Sequence, residues 1–201
     1  TNLSNKNRQI SFAVNYFRNF EPEYQKISNE IKNGLLGFPL KVIVNYSKGF
    51  LNNGSHFSVF ISKFMGNVLS AKIIKKNHFF NEEDYEPDFF VKYNNGEAYF
   101  ISYDEKNFSN YDITIFGKNG KVHIPISGKE IFYWEVVNDK KFKNYRILTP
   151  HPKIMRSDID RYKHYVYDNV FEHLKNKKPL SCDLRSLSST NDIITFLDKL
   201  S

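Results

Sequence analysis

The chain has 201 residues, of which 40% are hydrophobic and 16% aromatic, and it carries a formal net charge of +7 at pH 7. This composition suits one large domain or two small ones with a sizeable core, and no apolar run reaches the roughly 18 residues of a membrane-spanning helix. The single cysteine, Cys182, excludes an internal disulfide and a multi-cysteine zinc site, and it predicts a reducing, cytoplasmic location.

The first part of the chain alternates strand and helix patterns. Apolar and polar residues alternate over residues 9–17, which predicts a strand. Residues 21–34 place their apolar side chains on one helical face, with Pro22 early in the helix and Gly34 as a stop signal. A helix between these two residues is therefore predicted.

A second strand and a second helix follow. Residues 39–49 alternate up to Tyr46 and predict the strand. The helix is predicted from apolar residues at i, i+3, i+4 and i+7, and Gly66 ends it. These apolar positions are Phe57, Phe60, Ile61 and Phe64. One face of this helix is therefore expected to be buried.

Residues 67–148 contain short β-branched or aromatic runs separated by turn signals. Asn95-Gly96 and Asn119-Gly120 each stand between two such runs. Asn-Gly is a strong signal for a two-residue hairpin turn in which both central residues have positive φ. An antiparallel meander is therefore predicted.

The last part of the chain is predicted to be helical. A helix over residues 161–175 has four apolar residues on one face, and a second begins near Ser189, whose spacing to Asp192 resembles a capping box. The first face consists of Tyr167, Val170, Phe171 and Leu174, and the inner face of the second of Ile193, Ile194, Leu197 and Leu200. Because no repeat or long linker occurs, one α+β domain is predicted.

The sequence lacks the common motifs of nucleotide, hydrolase and zinc sites. Neither G-x-G-x-x-G nor G-x-x-x-x-G-K-[ST] occurs, so no cofactor-binding residue is predicted in this chain. Neither G-x-S-x-G nor H-E-x-x-H occurs, and no metal site is predicted. The lysines are scattered rather than grouped with stacking aromatic residues, which argues against nucleic-acid binding, whereas an anionic small substrate fits the basic charge.

His56 is the histidine that opens an amphipathic run. The asparagines, glycine and serine before it are typical of a helix start, so helix capping is one interpretation. The other interpretation is chemistry, because the positive end of a helix dipole disfavours imidazolium and keeps a histidine neutral and ready to accept a proton. Asn52, four residues earlier, could then orient a hydroxyl group in the same cleft.

Residues 14–66 resemble the start of the C-terminal domain of the glucose–fructose oxidoreductase, inositol dehydrogenase and MocA (Gfo/Idh/MocA) family. The matching pieces are the strand ending in RNFEP, the helix running into NGLLG, the strand ending at Tyr46 and the loop leading to Gly54-Ser55-His56. The tail NKKPLSCDLRSLSSTNDIITFLDKL is similar to the family's final segment, in which a Lys-Pro pair ends one helix and the last helix follows. The resemblance is close up to Gly66 and rests on the order of elements after it.

The resemblance implies an open, mostly antiparallel mixed sheet with helices on one face. Residues 1–201 would form the substrate-binding and dimerisation domain, and the family's N-terminal Rossmann domain, which binds NAD or NADP, is absent from this chain. A homodimer through the sheet face is implied, since a one-layer sheet with helices on one side needs cover on the other. His56 matches the family histidine that exchanges a proton with a sugar hydroxyl during hydride transfer.

The sequence departs from the family pattern around this histidine. Asn52 stands where the family usually has an aspartate, and Val59 stands where an aspartate commonly follows the histidine. Asn19 likewise occupies a position where a second arginine is common. An amide is neither a base nor a negative charge, so Asn52 keeps only an orienting role.

Four further residues match elements that face the family's cleft, and they are predicted to bind substrate: Arg18, Tyr46, Lys48 and Asn53. A cation such as Arg18 or Lys48 would suit a carboxylate or a phosphate of a nucleotide sugar. The alternative interpretations are solvated charges for Arg18 and Lys48 and a core-edge aromatic residue for Tyr46.

The function predicted from this resemblance is the substrate-binding domain of an NAD(P)-dependent sugar or sugar-nucleotide dehydrogenase. His56 and Asn52 are its predicted catalytic residues, and the chain alone is expected to bind NAD poorly and to turn nothing over. The alternative is a non-catalytic binding or assembly module derived from the same fold, which the departures at Asn52 and Val59 favour.

Overall fold

The computed structural model describes residues 10–77, 80–81 and 83–198. These residues form a nine-stranded sheet whose core side is covered by helices. The strands are β1 Leu40–Tyr46, β2 Val68–Lys75, β3 Asp88–Tyr93, β4 Gly96–Ser102, β5 Asp112–Gly117, β6 Gly120–Ile124, β7 Glu130–Asn138, β8 Arg146–Leu148 and β9 Lys153–Arg156. The helices are α1 Pro22–Lys32, α2 Ser55–Met65, α3 Tyr162–Asn176 and α4 Ser188–Asp198. The predicted α+β fold, an open and mostly antiparallel mixed sheet with helices on one face, is confirmed.

Strand β1 lies in the interior of the sheet and makes it mixed. The strand order is β2-β3-β4-β1-β5-β6-β7-β8, and β9 also pairs with β7. β1 is parallel to β4 and antiparallel to β5, while all the other pairs are antiparallel. Tyr46 at the end of β1 pairs with Ser102, and Asn45 pairs with Asp112. The loop from 103 to 111 therefore lies beside the chain that leaves β1.

The core lies between the sheet and helices α1, α2 and α4. Leu40, Val42 and Val44 alternate along β1 and are almost fully buried, as the period of a strand requires. The helices add mostly aromatic and branched residues to the same cluster: Tyr24, Ile27, Ile31, Phe57, Phe60, Ile61, Phe64, Ile193 and Leu197. The predicted inner faces of α1, α2 and α4 are thus confirmed where the structure describes them; Leu200 lies outside the described residues.

Helix α1 begins and ends as its sequence predicts. Pro22 is the first helical residue, and the side chain of Glu21 accepts a hydrogen bond from Tyr24 N at 2.8 Å. Gly34 follows the last turn with φ of 96°, a left-handed conformation that glycine adopts without steric cost. Glutamate is not among the usual N-cap residues, so this cap could not be predicted from composition alone.

Both predicted hairpins are present, but their turn type differs from the prediction. Two residues connect β3 to β4 and two connect β5 to β6, since Tyr93 pairs with Gly96 and Gly117 pairs with Gly120. The turn residues are Asn94-Asn95 and Lys118-Asn119, and none of them has positive φ. Gly96 and Gly120 are instead the first residues of β4 and β6. A Cβ on Gly96 would lie 1.9 Å from the Leu40 carbonyl oxygen, so close strand packing explains this glycine.

The predicted strand over residues 9–17 is wrong within the described residues. Residues 10–16 are not paired in the sheet, and Ile10 and Phe12 are exposed. Val14 N donates a hydrogen bond to Cys182 O at 3.0 Å, so this segment lies against the chain after α3. Alternation predicts a strand only where a partner strand completes the ladder, and no described strand lies beside this segment.

Helix α3 is present, but its apolar face does not enter the core. Tyr167 is 72% exposed, Leu174 62% and Phe171 55%, and α3 has no fully buried residue. The capping box also differs from the prediction, because Asp183 and Ser186 form it at the short turn before α4. Ser189 lies inside α4. None of the described helices is long and apolar enough to cross a membrane.

Candidate active site

A π-helical turn, Gly49–Gly54, joins β1 to α2 and places His56 in the first turn of the α-helix. Lys48 and Gly49 reverse the chain after β1 with φ of 65° and 81°. No side chain caps α2 at Gly54; Ser55 Oγ instead donates to Leu51 O at 2.6 Å. The capping interpretation of the Asn-Asn-Gly-Ser stretch is therefore wrong, because helical backbone already precedes His56.

Two buried carboxylates from the segment between β2 and β3 accept hydrogen bonds from the backbone of this turn. Glu86 accepts from Gly49 N at 2.7 Å, and Asp84 accepts from Leu51 N at 2.8 Å and Asn52 N at 2.9 Å. Asp84 is 4% exposed and Glu86 1%. The amides that begin a helix can bind a phosphate, but here protein carboxylates already occupy them. This turn is therefore no cradle for a dinucleotide.

His56 lies in an aromatic environment beside a positive charge. Its ring centroid is 4.5 Å from that of Tyr16 and 5.3 Å from that of Phe17. Burial, and next the charge of Arg18, lower the pKa of His56 from 6.5 to about 4. Nδ1 is buried and has no hydrogen-bond partner among the described residues. The imidazole is therefore neutral at pH 7, and burial rather than a helix end is the main cause.

Arg18 is held between aromatic rings beside this histidine. Its guanidinium carbon lies 4.7 Å from the Phe17 ring centroid and 4.6 Å from that of Phe57. It also interacts with the hydroxyl of Tyr24, and burial lowers the pKa of Arg18. Arg18 forms no ion pair with a carboxylate in the described part of the chain. A positioned cation without a counter-ion is the group that binds a ligand carboxylate or phosphate.

The structure does not connect the two predicted catalytic residues. Asn52 is exposed, and its Nδ2 donates to Lys48 O at 3.0 Å. No hydrogen bond joins Asn52 to His56. Asn53 is half-buried, and its Nδ2 donates to Ser47 O at 3.0 Å and lies 3.4 Å from Tyr111 Oη. Both amides therefore brace the turn through backbone carbonyls.

Lys48 is neutralised by a neighbouring carboxylate. Its Nζ lies 2.9 Å from Glu105 Oε1, and this hydrogen bond raises the pKa of Lys48. Ser47 and Ser109 also donate to Glu105, at 2.9 and 2.6 Å. A paired lysine is a weaker anion site than Arg18, because a ligand anion would compete with Glu105.

Tyr46 is a core residue. It is fully buried, and its hydroxyl donates to Pro87 O at 2.6 Å. Desolvation by burial raises the pKa of Tyr46 well above its usual range. The core interpretation of Tyr46 therefore holds, and a substrate could not reach its hydroxyl without displacing this contact.

Tyr111 belongs to the site although no sequence motif marks it. Its hydroxyl lies 3.4 Å from Asn53 Nδ2 and also hydrogen-bonds with Lys48. Tyr111 is half-buried at the end of the loop that the β1–β5 pairing brings beside the turn. Tyr111 directly precedes β5, the strand that pairs with β1, so only knowledge of the sheet topology could have indicated this residue.

Neither a metal nor a dinucleotide fits the residues of this site. Within residues 10–77, 80–81 and 83–198, no group of three or more histidine, cysteine, aspartate or glutamate side chains could hold a metal ion. The side chains that meet at the site suit a small anionic or hydroxyl-bearing ligand: Arg18, Asn53, His56 and Tyr111.

Solved structures share this fold. The chain has the fold of the second domain of oxidoreductases of the Gfo/Idh/MocA type, so the fold that the resemblance implied is confirmed. Among similar structures is an oxidoreductase from Sinorhizobium meliloti, with a TM-score of 0.69 and 10% sequence identity over 99% of this chain and 65% of that chain.

Two similar structures contain ligands. One is KijD10, a 3-ketoreductase from Actinomadura kijaniata in complex with TDP-benzene and NADP, with a TM-score of 0.66, 9% identity, and coverage of 98% of this chain and 63% of that chain. The other is the WlbA dehydrogenase from Bordetella pertussis in complex with NADH and UDP-GlcNAcA, with a TM-score of 0.61, 16% identity, and coverage of 94% and 61%. This chain thus spans less than two thirds of each of these structures.

Comparison with protein-family models gave no match, and comparison with curated proteins gave none either.

Proposed function

We propose that this chain is the substrate-binding domain of an NAD(P)-dependent oxidoreductase that acts on a sugar nucleotide. The observation that carries the proposal is a neutral, unpartnered imidazole, His56, beside an unpaired arginine, Arg18. The oxidoreductase fold supports it. In this function His56 accepts the proton of a substrate hydroxyl, and Arg18 binds an anionic group of the same molecule.

The charge of Arg18 links substrate binding to the strength of the base. Without ligand, Arg18 disfavours the imidazolium form of His56. An anion bound to Arg18 would offset this charge, so the pKa of His56 would rise when substrate is present. Burial remains as the larger cause and keeps this pKa below its ordinary value. An anionic sugar derivative therefore suits this site better than a neutral sugar.

The cofactor would be held by a further domain. When bound there, NAD(P) supplies the hydride acceptor or donor, which no described residue of this chain provides. The exposed apolar face of α3, with Tyr167, Phe171 and Leu174, supports packing against such a domain. The 201-residue chain alone is expected to bind NAD poorly and to be inactive, which titration calorimetry can test.

A non-catalytic binding or assembly module is the second candidate. The observation that favours it is that Asn52 Nδ2 donates to Lys48 O at 3.0 Å and makes no hydrogen bond with the His56 ring. A catalytic histidine usually has a partner that sets its tautomer. In this function Arg18 and Tyr111 would still bind an anionic ligand.

Replacing His56 in a protein that contains both domains tests the catalytic role. His56→Ala should lower kcat by about 10²–10⁴, the usual contribution of a general acid–base group. The measurement is NAD(P)H absorbance with a panel of uridine and thymidine diphosphate sugars. His151→Ala, in the exposed turn between β8 and β9, is the matched control and should keep the wild-type kcat. A His56 variant with unchanged kcat would leave the non-catalytic module as the function.

We further propose that the open face of the sheet binds a second copy of the chain. This face carries the aromatic residues that alternate with the buried ones, and Phe116 is 37% exposed on it. Ion pairs and hydrogen bonds accompany them, such as Lys41 with Glu97 at 3.0 Å and Asp112 with His123 at 3.4 Å. A mixture of aromatic and paired polar side chains is typical of subunit interfaces.

A further inference from the structure

A polar pocket between α1, α2 and the chain after α3 has no role in the proposed function. Its volume is about 190 Å³, and its lining residues are Gln25, Ser28, Asn29, Lys63 and Ser181. It shares no residue with the candidate active site, and its lining contains no carboxylate and no apolar residue. A pocket with this lining offers hydrogen-bond donors and one positive charge.

Lys63 is a cation without a counter-ion in this pocket. It is half-buried, and it forms no ion pair in the described part of the chain. Burial lowers the pKa of Lys63. A partly desolvated ammonium group is stabilised when an anion lies beside it.

Two serine hydroxyls complete the donor set. Ser28 is 1% exposed, and its Oγ has no hydrogen-bond partner among the residues that the structure describes. Ser181 Oγ accepts from Gln25 Nε2 at 3.2 Å, which leaves its own hydrogen free to donate. A buried hydroxyl without a partner is unfavourable, and an acceptor in the pocket would remove this cost.

We propose that this pocket is a binding site for a phosphate group. The ammonium of Lys63, the hydroxyls of Ser28 and Ser181 and the amide of Asn29 come from two helices and one connecting segment, so they surround the pocket. Donors on several sides match a tetrahedral anion with four acceptor oxygens better than a planar carboxylate. The site is independent of the proposed oxidoreductase function, and its failure would leave that function untouched.

The test is a titration of the folded chain with inorganic phosphate, followed by ¹H–¹⁵N NMR at constant ionic strength. The expected result is saturable shifts of the Ser28, Asn29, Lys63 and Ser181 amides. Lys63→Gln should weaken binding about tenfold or more. Lys26→Gln is the matched control, because Lys26 lies on α1 in a surface ion pair with Glu23 at 3.5 Å, and it should bind like wild type.

Two further measurements complete the test. Ser28→Ala, a small change inside α1, should also weaken phosphate binding, and this variant replaces Lys63→Gln in the titration if Lys63→Gln does not fold. Glycerol 3-phosphate in place of inorganic phosphate distinguishes a phosphorylated metabolite from the free ion, and tighter binding of either supports the site. Equal shifts with acetate, shifts that do not saturate, or wild-type affinity in both variants would overturn the proposal.

Discussion

At the scale of the single residue, the neutrality of His56 has a different cause from the one its sequence position indicates. The position after Asn-Asn-Gly-Ser predicts a helix dipole acting on the ring. In the structure a π-helical turn precedes α2, and burial among Tyr16 and Phe17 is the larger effect, followed by Arg18. The neutral state of the ring was predicted from the sequence, but the cause of this neutrality is side-chain packing, which residue spacing does not reveal.

The pH dependence of stability follows from this pKa. The folded protein binds the His56 proton only near pH 4 and the unfolded chain near pH 6.5. The unfolded state therefore holds more protons between these values, so the stability from a neutral ring is complete above pH 6.5 and is lost as the pH falls towards 4. The free energy of unfolding should fall by at most about 1.4 kcal/mol per pH unit in this window, and by less because the ring is only partly buried.

Urea unfolding at several pH values, compared with His56→Gln, measures this contribution. The variant should show a shallower decrease between pH 6.5 and 4, and NMR of the wild-type ring should give a pKa of about 4. Arg18→Gln should raise that pKa by part of the shift, since burial remains. Parallel stability curves for wild type and His56→Gln would mean that the ring is solvated in the folded protein.

At the scale of the element, the turn that carries the site is organised by residues distant in sequence. Asp84 and Glu86 satisfy its first amides, and Gly49 is required because a Cβ there would lie 1.9 Å from Asp84 Oδ2. Helix boundaries and strand identities come from local patterns, and most of these were predicted. The carboxylates, Glu105 and Tyr111 reach the turn only through the sheet register, which a single sequence does not specify.

Removing the Asp84 carboxylate should destabilise the turn. Asp84→Ala leaves the amides of Leu51 and Asn52 without their acceptor in a partly buried place, and we expect a loss of about 1–3 kcal/mol in the free energy of unfolding. Hydrogen exchange of these two amides should become faster. Urea unfolding and exchange NMR measure the two effects.

Asp139→Ala is the matched control for this experiment. Asp139 also accepts from two backbone amides, of Lys141 at 2.6 Å and Phe142 at 2.9 Å, but in an exposed loop. Water can replace it there, so its loss should be below about 1 kcal/mol. Equal losses in the two variants would contradict the role given to Asp84.

Periodicity does not predict what a segment packs against in two places. Residues 9–17 alternate like a strand, yet residues 10–16 pair with no strand in the described structure. Helix α3 is present as predicted, while Tyr167, Phe171 and Leu174 on its apolar face stay exposed. Periodicity reports which side chains share a face, not what covers that face. The predicted burial of the apolar faces of α1, α2 and α4 is confirmed because the sheet of the same chain covers them.

At the scale of the whole molecule, two apolar surfaces lack cover from the residues that the structure describes, and they have different chemistry. The open sheet face combines aromatic residues with cations, for Lys121 Nζ lies 5.6 Å from the Phe116 ring centroid and 5.0 Å from that of Trp134. The α3 face presents separate large side chains, Tyr167, Phe171 and Leu174. The functions proposed above would place a second copy of the chain on the first surface and a further domain on the second.

Sedimentation velocity over a range of concentrations distinguishes these assignments. The chain should form a concentration-dependent dimer, and Phe116→Glu should weaken it about tenfold or more, because a carboxylate would be buried in the interface beside an aromatic cluster. Phe171→Glu, on α3, introduces the same charge at another exposed phenylalanine and should leave the dimer unchanged. A wild-type chain that stays monomeric at high concentration, or a dimer lost in Phe171→Glu but kept in Phe116→Glu, would contradict the sheet-face assignment.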